Sequence, residues 1–232
     1  MALLLGDIHG NLDKAKAFIA YRPEEKHVFV GDYVDSFTVS DMDVYNTLKA
    51  CIESDSDLIL GNHDLGYFYR PPFDCSGFRI SMMKGLQDIF EEFLKEKRFV
   101  PALLLDGFIV THGGVSDEFG GGVKFKDPGA VLDKINAEWD EYLELRHTNK
   151  RGYARGSIFK VGYVRGGRDD YSGIFWADYR YDSLLDVPQI FGHSKTESGD
   201  IISIGNKPWW ALGCDNNRRI CFNSTTRTVE SF

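Results

Sequence analysis

Residues 27–35 read His27-Val28-Phe29-Val30-Gly31-Asp32-Tyr33-Val34-Asp35. A short apolar run that stops at Gly-Asp predicts a buried strand opening into a loop. Two carboxylates three residues apart at such an opening can face one site and divide two jobs, holding a cation and orienting a neighbour. Alone, Gly-Asp after a strand is ordinary turn chemistry. Similar punctuation recurs, however, at Gly6-Asp7-Ile8-His9-Gly10, Gly61-Asn62-His63-Asp64, Thr111-His112-Gly113-Gly114 and Gly192-His193, each time after an apolar run.

The segments between these loops set the fold class. Ala2 to Leu5 predicts a strand, and Asn11 caps a helix with Leu12, Ala15, Phe18 and Ile19 on one face. Ser40 and Asp43 make a capping-box-like start to a helix from about Asp41 to Glu53, with Val44, Leu48, Cys51 and Ile52 buried. Asp57 to Leu60 supplies a third strand. This βαβαβ rhythm predicts an α/β fold of parallel strands covered by helices, with ligands beyond the carboxyl ends of the strands. The first three loops fall at such ends.

Farther along, Pro71-Pro72 interrupts the chain before an amphipathic helix from about Arg79 to Lys97. Met82, Leu86, Ile89, Phe90, Phe93 and Leu94 form its core-facing stripe. Asp106-Gly107 marks a hairpin between Ala102–Leu105 and Phe108–Thr111, and a helix starts near Asp127-Pro128. Gly173 to Ala177 and Pro188 to Phe191 read as buried strands. Ile201–Ile204, Trp209–Gly213 and Arg219–Phe222 read as a terminal antiparallel run, with Asn216-Asn217 in a turn. A mixed sheet or two stacked sheets follows.

With 232 residues and 43% hydrophobic content, the chain buries a full core. The expectation is one domain over 1–232 with an inserted cap-like region at about 118–172. A net charge of −8 and a pI near 5.3 argue against bulk nucleic-acid binding or attraction to an anionic membrane. Cys51, Cys75, Cys214 and Cys221 form no Cys-x-x-Cys pair, which predicts reduced thiols in a cytoplasmic protein. No run reaches membrane-spanning length, and the first residues lack a signal peptide's basic start.

One stretch reverses the charge. From Leu145 to Arg168 there are seven Lys or Arg and no acid. It is either a solvated loop that balances charge or a phosphate-facing cap, because Arg forks suit phosphate oxygens. Tyr153, Phe159 and Tyr163 lie within it, either to stack on a base or to pin the loop to the body.

Four of the six histidines, His9, His63, His112 and His193, fall in the glycine-bounded loops with Asp7, Asp32 and Asn62. Imidazole nitrogen mixed with carboxylate and amide oxygen suits Mn, Fe, Zn or Co better than Mg or Ca. Seven candidates exceed one metal's shell and a carboxylate can bridge, so two divalent transition-metal ions are expected, manganese first. Such a pair is the usual clamp for phosphoryl displacement.

The motifs at residues 6–10, 31–35, 61–64, 112–116 (His-Gly-Gly-Val-Ser) and 192–193 together resemble the calcineurin-like metallophosphoesterases. Within them the chain looks most like the serine/threonine protein phosphatase branch and its compact bacterial, phage and diadenosine-tetraphosphatase relatives. The resemblance implies a four-layer α/β/β/α sandwich of mixed sheets with a dinuclear centre. It assigns Asp7 and His9 to the first metal, Asp32 to a bridge, and Asn62, His112 and His193 to the second. It makes His63 the general acid, Asp35 the group that fixes its tautomer, and the nucleophile a hydroxide activated by the metals.

Ser36 and Leu60 stand where such phosphatases carry phosphate-binding arginines, and Asp64 replaces a Glu. Either the basic stretch (Arg155, Arg165, Arg168) or Arg180, after Trp176-Ala177-Asp178, substitutes, or the substrate differs. The leading expectation is a phosphate monoesterase acting on phosphoserine or phosphothreonine in proteins. A hydrolase of dinucleoside polyphosphates, nucleotides or phosphodiesters is the alternative, and a binding scaffold on the same fold is the third.

Overall fold

Helix starts in this chain are written in its short polar side chains. Asn11, Ser40 and Asp127 each accept the backbone N–H three residues on, from Lys14 at 3.0 Å, Asp43 at 3.1 Å and Ala130 at 3.0 Å. They open α1 (Leu12–Ala20), α2 (Asp41–Glu53) and α5 (Pro128–Leu145). The structure is a computed structural model and describes residues 1–36, 38–120, 126–148, 154–197, 199–214 and 218–232.

Strands β1 (Ala2–Leu5), β2 (Lys26–Phe29), β3 (Asp57–Ile59) and β4 (Phe99–Val100) run parallel. With β10 (Ile220–Asn223) and β11 (Thr228–Ser231) they form a six-stranded mixed sheet in the order β11-β10-β1-β2-β3-β4. A second sheet of five, β5-β6-β7-β9-β8, contains β5 (Ala102–Leu105), β6 (Phe108–Thr111), β7 (Gln189–Phe191), β8 (Ile202–Ser203) and β9 (Trp209–Ala211). In it β6, β7 and β9 are parallel.

Period-two alternation assigns the faces. Leu4, Val28, Val30 and Ile59 of the first sheet pack with Phe108, Val110 and Ile190 of the second, which is the interior between the sheets. Leu3, Leu5, Phe29 and Leu58 point the other way, into a cluster with Phe18 of α1, Leu48 of α2 and Phe90 of α4 (Met83–Lys95). Ile109 belongs to the cluster that holds Val131, Ile135 and Trp139 of α5, and α5 packs on β5 and β6. The result is helix, sheet, sheet, helix.

Three readings are corrected. Gly173–Ala177 is buried but is not a strand, because Trp176 and Ala177 turn their N–H groups back on the Gly173 carbonyl at 3.0 and 2.9 Å. The terminal run is not one antiparallel unit: β8 and β9 stay in the second sheet, while β10 crosses to pair with β1. The helix expected from Arg79 begins as a 3-10 turn at Ile80–Met82 and becomes α-helical at Met83. The Asn216-Asn217 turn lies outside the described residues.

Candidate metal centre

Every loop singled out in the sequence leaves the carboxyl end of a strand. Asp7 and His9 follow β1, Asp32 and Asp35 follow β2, and Asn62 and His63 open α3 (Asn62–Leu65) after β3. His112 follows β6 and His193 follows β7. The sheets meet at this rim: the His193 N–H donates to Asp7 Oδ1 at 2.9 Å, and His112 Nδ1 donates to the Val30 carbonyl at 2.7 Å.

Two groups of ligand atoms converge, each within 4.8 Å: Asp7, His9 and Asp32, and Asp32, His112 and His193. Asp32 belongs to both. His9 Nδ1 is 3.0 Å from the Val34 carbonyl. A carbonyl only accepts, so Nδ1 carries the proton in both His9 and His112, and Nε2 is turned toward Asp32 at 3.7 and 3.3 Å. Asn62 Oδ1 lies 3.0 Å from His112 Nε2. His193 keeps a buried Nε2 without a hydrogen-bond partner among the described residues. A shared carboxylate, preset imidazoles and an orphaned ring nitrogen fit a pair of divalent transition metals.

The backbone is held in uncommon conformations to achieve this. His9, Asp32, Asp35 and His193 have φ of 41°, 54°, 56° and 64°. Asp64 fixes the central loop by accepting the N–H groups of Gly61, Asp32 and Tyr33 at 2.8, 2.9 and 2.9 Å. Gly61 is glycine for a steric reason: a Cβ there would stand 2.1 Å from Asp32 Oδ1.

Charge follows the same geometry. Burial works against the Asp32 carboxylate, but His112, His63 and His9 outweigh it and hold the group well below the usual range. Burial opposes charge on His63 and His112 too, yet Asp32 lifts each to about 9. Burial, with His112 and Arg165 beside it, pushes His193 well down. The Asp7 carboxyl is raised by burial.

Beside the ligands, His63 Nδ1 is 3.0 Å from Asp35 Oδ2, and the His63 ring stands edge-on to His9 with centroids 5.2 Å apart. Of the four arginines considered for substrate, two gather here. Arg165 binds Ser194 Oγ at 2.9 Å, next to His193, and Asp178 at 2.8 Å. Arg180 makes a forked pair with the same Asp178, at 2.9 and 2.6 Å. Burial works to raise Asp178, and these arginines still hold it below its ordinary value.

Arg155 and Arg168 make no hydrogen bond or ion pair among the described residues. Arg155 lines a separate cleft of about 240 Å³ with Glu138, Glu141 and Tyr142 of α5. Arg146, from the same basic stretch, is buried in a forked pair with Glu91 at 2.7 and 2.8 Å, so its charge serves the fold. Phe159 pins the stretch to the body by stacking on Phe175, whereas Tyr163 is exposed. Tyr153 lies outside the described residues.

Tyr67, Cys75 and Arg79 also contact the residues of this centre and its loops. Tyr67 donates to Asp35 Oδ1, and Cys75 bonds Asn62. Arg79 clamps the Ser36 and Val39 carbonyls and Asp41. None sits in a glycine-bounded loop, and no pattern in the chain marks them.

The sequence matches the family model of the calcineurin-like phosphoesterases over residues 2–197. The chain belongs to that family of metal-dependent hydrolases. Comparison with curated proteins gives no significant match. Among solved structures it is similar to a protein serine/threonine phosphatase from Saccharomyces cerevisiae, described as having similarity to human phosphatase PP5. Identity is 15% and the TM-score 0.50; the match covers 91% of this chain and 66% of that one. The likeness concerns the fold.

Proposed function

We propose that the chain hydrolyses phosphate monoesters at this centre, with phosphoserine and phosphothreonine in proteins as the substrate class. The observation that carries the reading is the pair of ligand groups sharing Asp32, with the His63–Asp35 dyad at their edge. Asp7 and His9 would hold one ion, Asn62, His112 and His193 the other, and Asp32 both, manganese being the leading candidate. Bound there, two divalent ions supply Lewis-acid polarisation of phosphoryl oxygens and a water of lowered pKa.

The chain's own groups do the rest. With Nδ1–H donated to Asp35, His63 has Nε2 available to protonate the leaving oxygen. Arg165, and Arg180 through the shared Asp178, offer guanidinium charge to the phosphate in place of the arginines missing at Ser36 and Leu60. The alternative, a nucleotide, dinucleoside polyphosphate or diester substrate, draws support from Tyr163 and Tyr181, both 67% exposed and close in sequence to these arginines. Free thiols at all four cysteines support a cytoplasmic setting.

The test is hydrolysis of para-nitrophenyl phosphate with metal content measured on the same sample and manganese restored after chelation. Metal-dependent turnover with close to two ions per chain is expected. A chain that binds no metal under any loading would overturn the reading. Relative turnover of a phosphopeptide, a dinucleoside tetraphosphate and a diester then decides the substrate class.

A further inference from the structure

Asp35 has two carboxylate oxygens, and only one is needed to hold His63. Oδ2 takes His63 Nδ1 at 3.0 Å, while Oδ1 accepts the hydroxyl of Tyr67. That hydroxyl in turn accepts the backbone N–H of Arg79 at 2.8 Å. The ring of Tyr67 is fully buried and stacked on Phe78, with centroids 4.8 Å apart and planes 26° from parallel. The phenol therefore has one acceptor position filled by Arg79 and its proton aimed at Asp35.

Arg79 closes the arrangement from the other side. Its guanidinium binds the carbonyls of Ser36 and Val39 and the carboxylate of Asp41 at 2.5 Å. One residue thus fastens the loop after Asp35 with its side chain and orients Tyr67 with its backbone. A carboxylate gripped at one oxygen cannot swing away from the imidazole at the other, and Asp35 itself sits at φ 56°.

We propose that Tyr67 is a positioning residue for the reaction: through its bond to Asp35 it fixes the His63 ring in the geometry that protonates the leaving group. The inference rests on the proposed phosphoesterase function. It assigns Tyr67 no contact with substrate. Burial and the Asp35 charge raise the phenol's pKa, consistent with a hydroxyl that donates throughout.

The test is Tyr67→Phe, which keeps the ring on Phe78 and removes the donor, assayed on an alkyl phosphate and on para-nitrophenyl phosphate. A nitrophenolate leaves with little protonation and an alkoxide does not. The expected result is a kcat loss of about 10- to 100-fold on the alkyl ester, with the nitrophenyl ester nearly unchanged and metal content intact. In an Asp35→Ala background the same substitution should cost nothing more, since its effect runs through Asp35. Equal losses on both esters, no loss on either, or full additivity with Asp35→Ala would overturn the assignment. Tyr67→Leu provides a second hydroxyl-free variant should the first not fold. If the unsubstituted chain turns over neither ester with any metal, the phosphoesterase reading itself fails, and this inference with it. Turnover with unselective losses removes only the role of Tyr67.

Discussion

Asp64 Oδ2 accepts the backbone N–H of Asp32 at 2.9 Å, so a side chain from α3, the short helix after β3, sets the posture of the carboxylate common to both ligand groups. Further N–H groups, of Gly61 and Tyr33, converge on the same carboxylate. Replacing Asp64 by Ala removes the acceptor of these three buried donors and of the longer Val34 N–H contact at 3.4 Å. We predict a loss of about 3 kcal/mol or more in urea unfolding, together with lost metal. A variant as stable as the parent would show that water or a rearranged loop replaces the carboxylate.

Asp32→Asn should remove metal from both positions rather than one. Groups outside the ligand shell already cost 10- to 100-fold when lost, so a fall in kcat/KM of at least about 100-fold is expected. Metal analysis of the purified variant reads it directly. One full equivalent remaining per chain would contradict the bridging assignment.

Arg165 and Arg155 make a matched pair of tests within one basic stretch. Arg165 stands beside Ser194 and His193, while Arg155 lines the cleft on α5. Arg165→Ala is predicted to raise KM by about 10-fold, the scale of a lost charge-assisted hydrogen bond, and to flatten its dependence on ionic strength. Arg155→Ala is predicted to leave both alone. Steady-state kinetics at two salt concentrations would expose the reverse pattern.

Cys75 donates to the Asn62 carbonyl at 3.0 Å, and its sulfur accepts the Asn62 side-chain N–H at 3.5 Å. That contact directs Oδ1 toward His112. Cys75→Ala should weaken one metal about 10-fold in a competition with a chelator, and Cys75→Ser should recover most of it. Equal affinity in all three proteins would reduce the thiol to packing.

Asp178 yields a pH prediction. Its folded pKa is depressed, so its contribution to stability is complete above the unfolded value of about 3.9 and is lost as pH falls through the lower folded value. Asp178→Asn should therefore be less stable than the parent at neutral pH, with the gap closing only below about pH 4. A gap that closes near neutrality would assign the effect to another group.

The parts of this molecule legible in its sequence are those where one residue does a local job. Asn11, Ser40 and Asp127 cap the helices they were expected to cap, and Asp106-Gly107 turns the expected hairpin with both residues at positive φ. The loops bearing Asp7, Asp32, Asn62, His112 and His193 are legible as a set, because a glycine-bounded polar residue after an apolar run is ordinary turn chemistry once but not five times in one chain. What stayed hidden depends on distant pairing. The strand-like composition of Gly173–Ala177 gives no sign that Gly113 donates to the Ile174 carbonyl at 2.6 Å and holds the segment as a turn. The basic stretch reads as a solvated loop or a phosphate-facing cap, and neither reading gives Arg146 its buried pair, because its acid, Glu91, lies 55 positions earlier. Nothing in the sequence ties Tyr67 or Cys75 to the centre until Asp35 and Asn62 are placed against them.

The bond between His193 N–H and Asp7 spans 186 positions. During synthesis at roughly 5–20 residues per second, the first ligand leaves the ribosome about 10 to 40 s before the last. By the end of that interval Asp7, His9, Asp32, Asn62 and His112 are already made, and His193 is the one candidate ligand still missing. Under the proposed two-metal function, the ligand set therefore closes only in chains in which both sheets have formed.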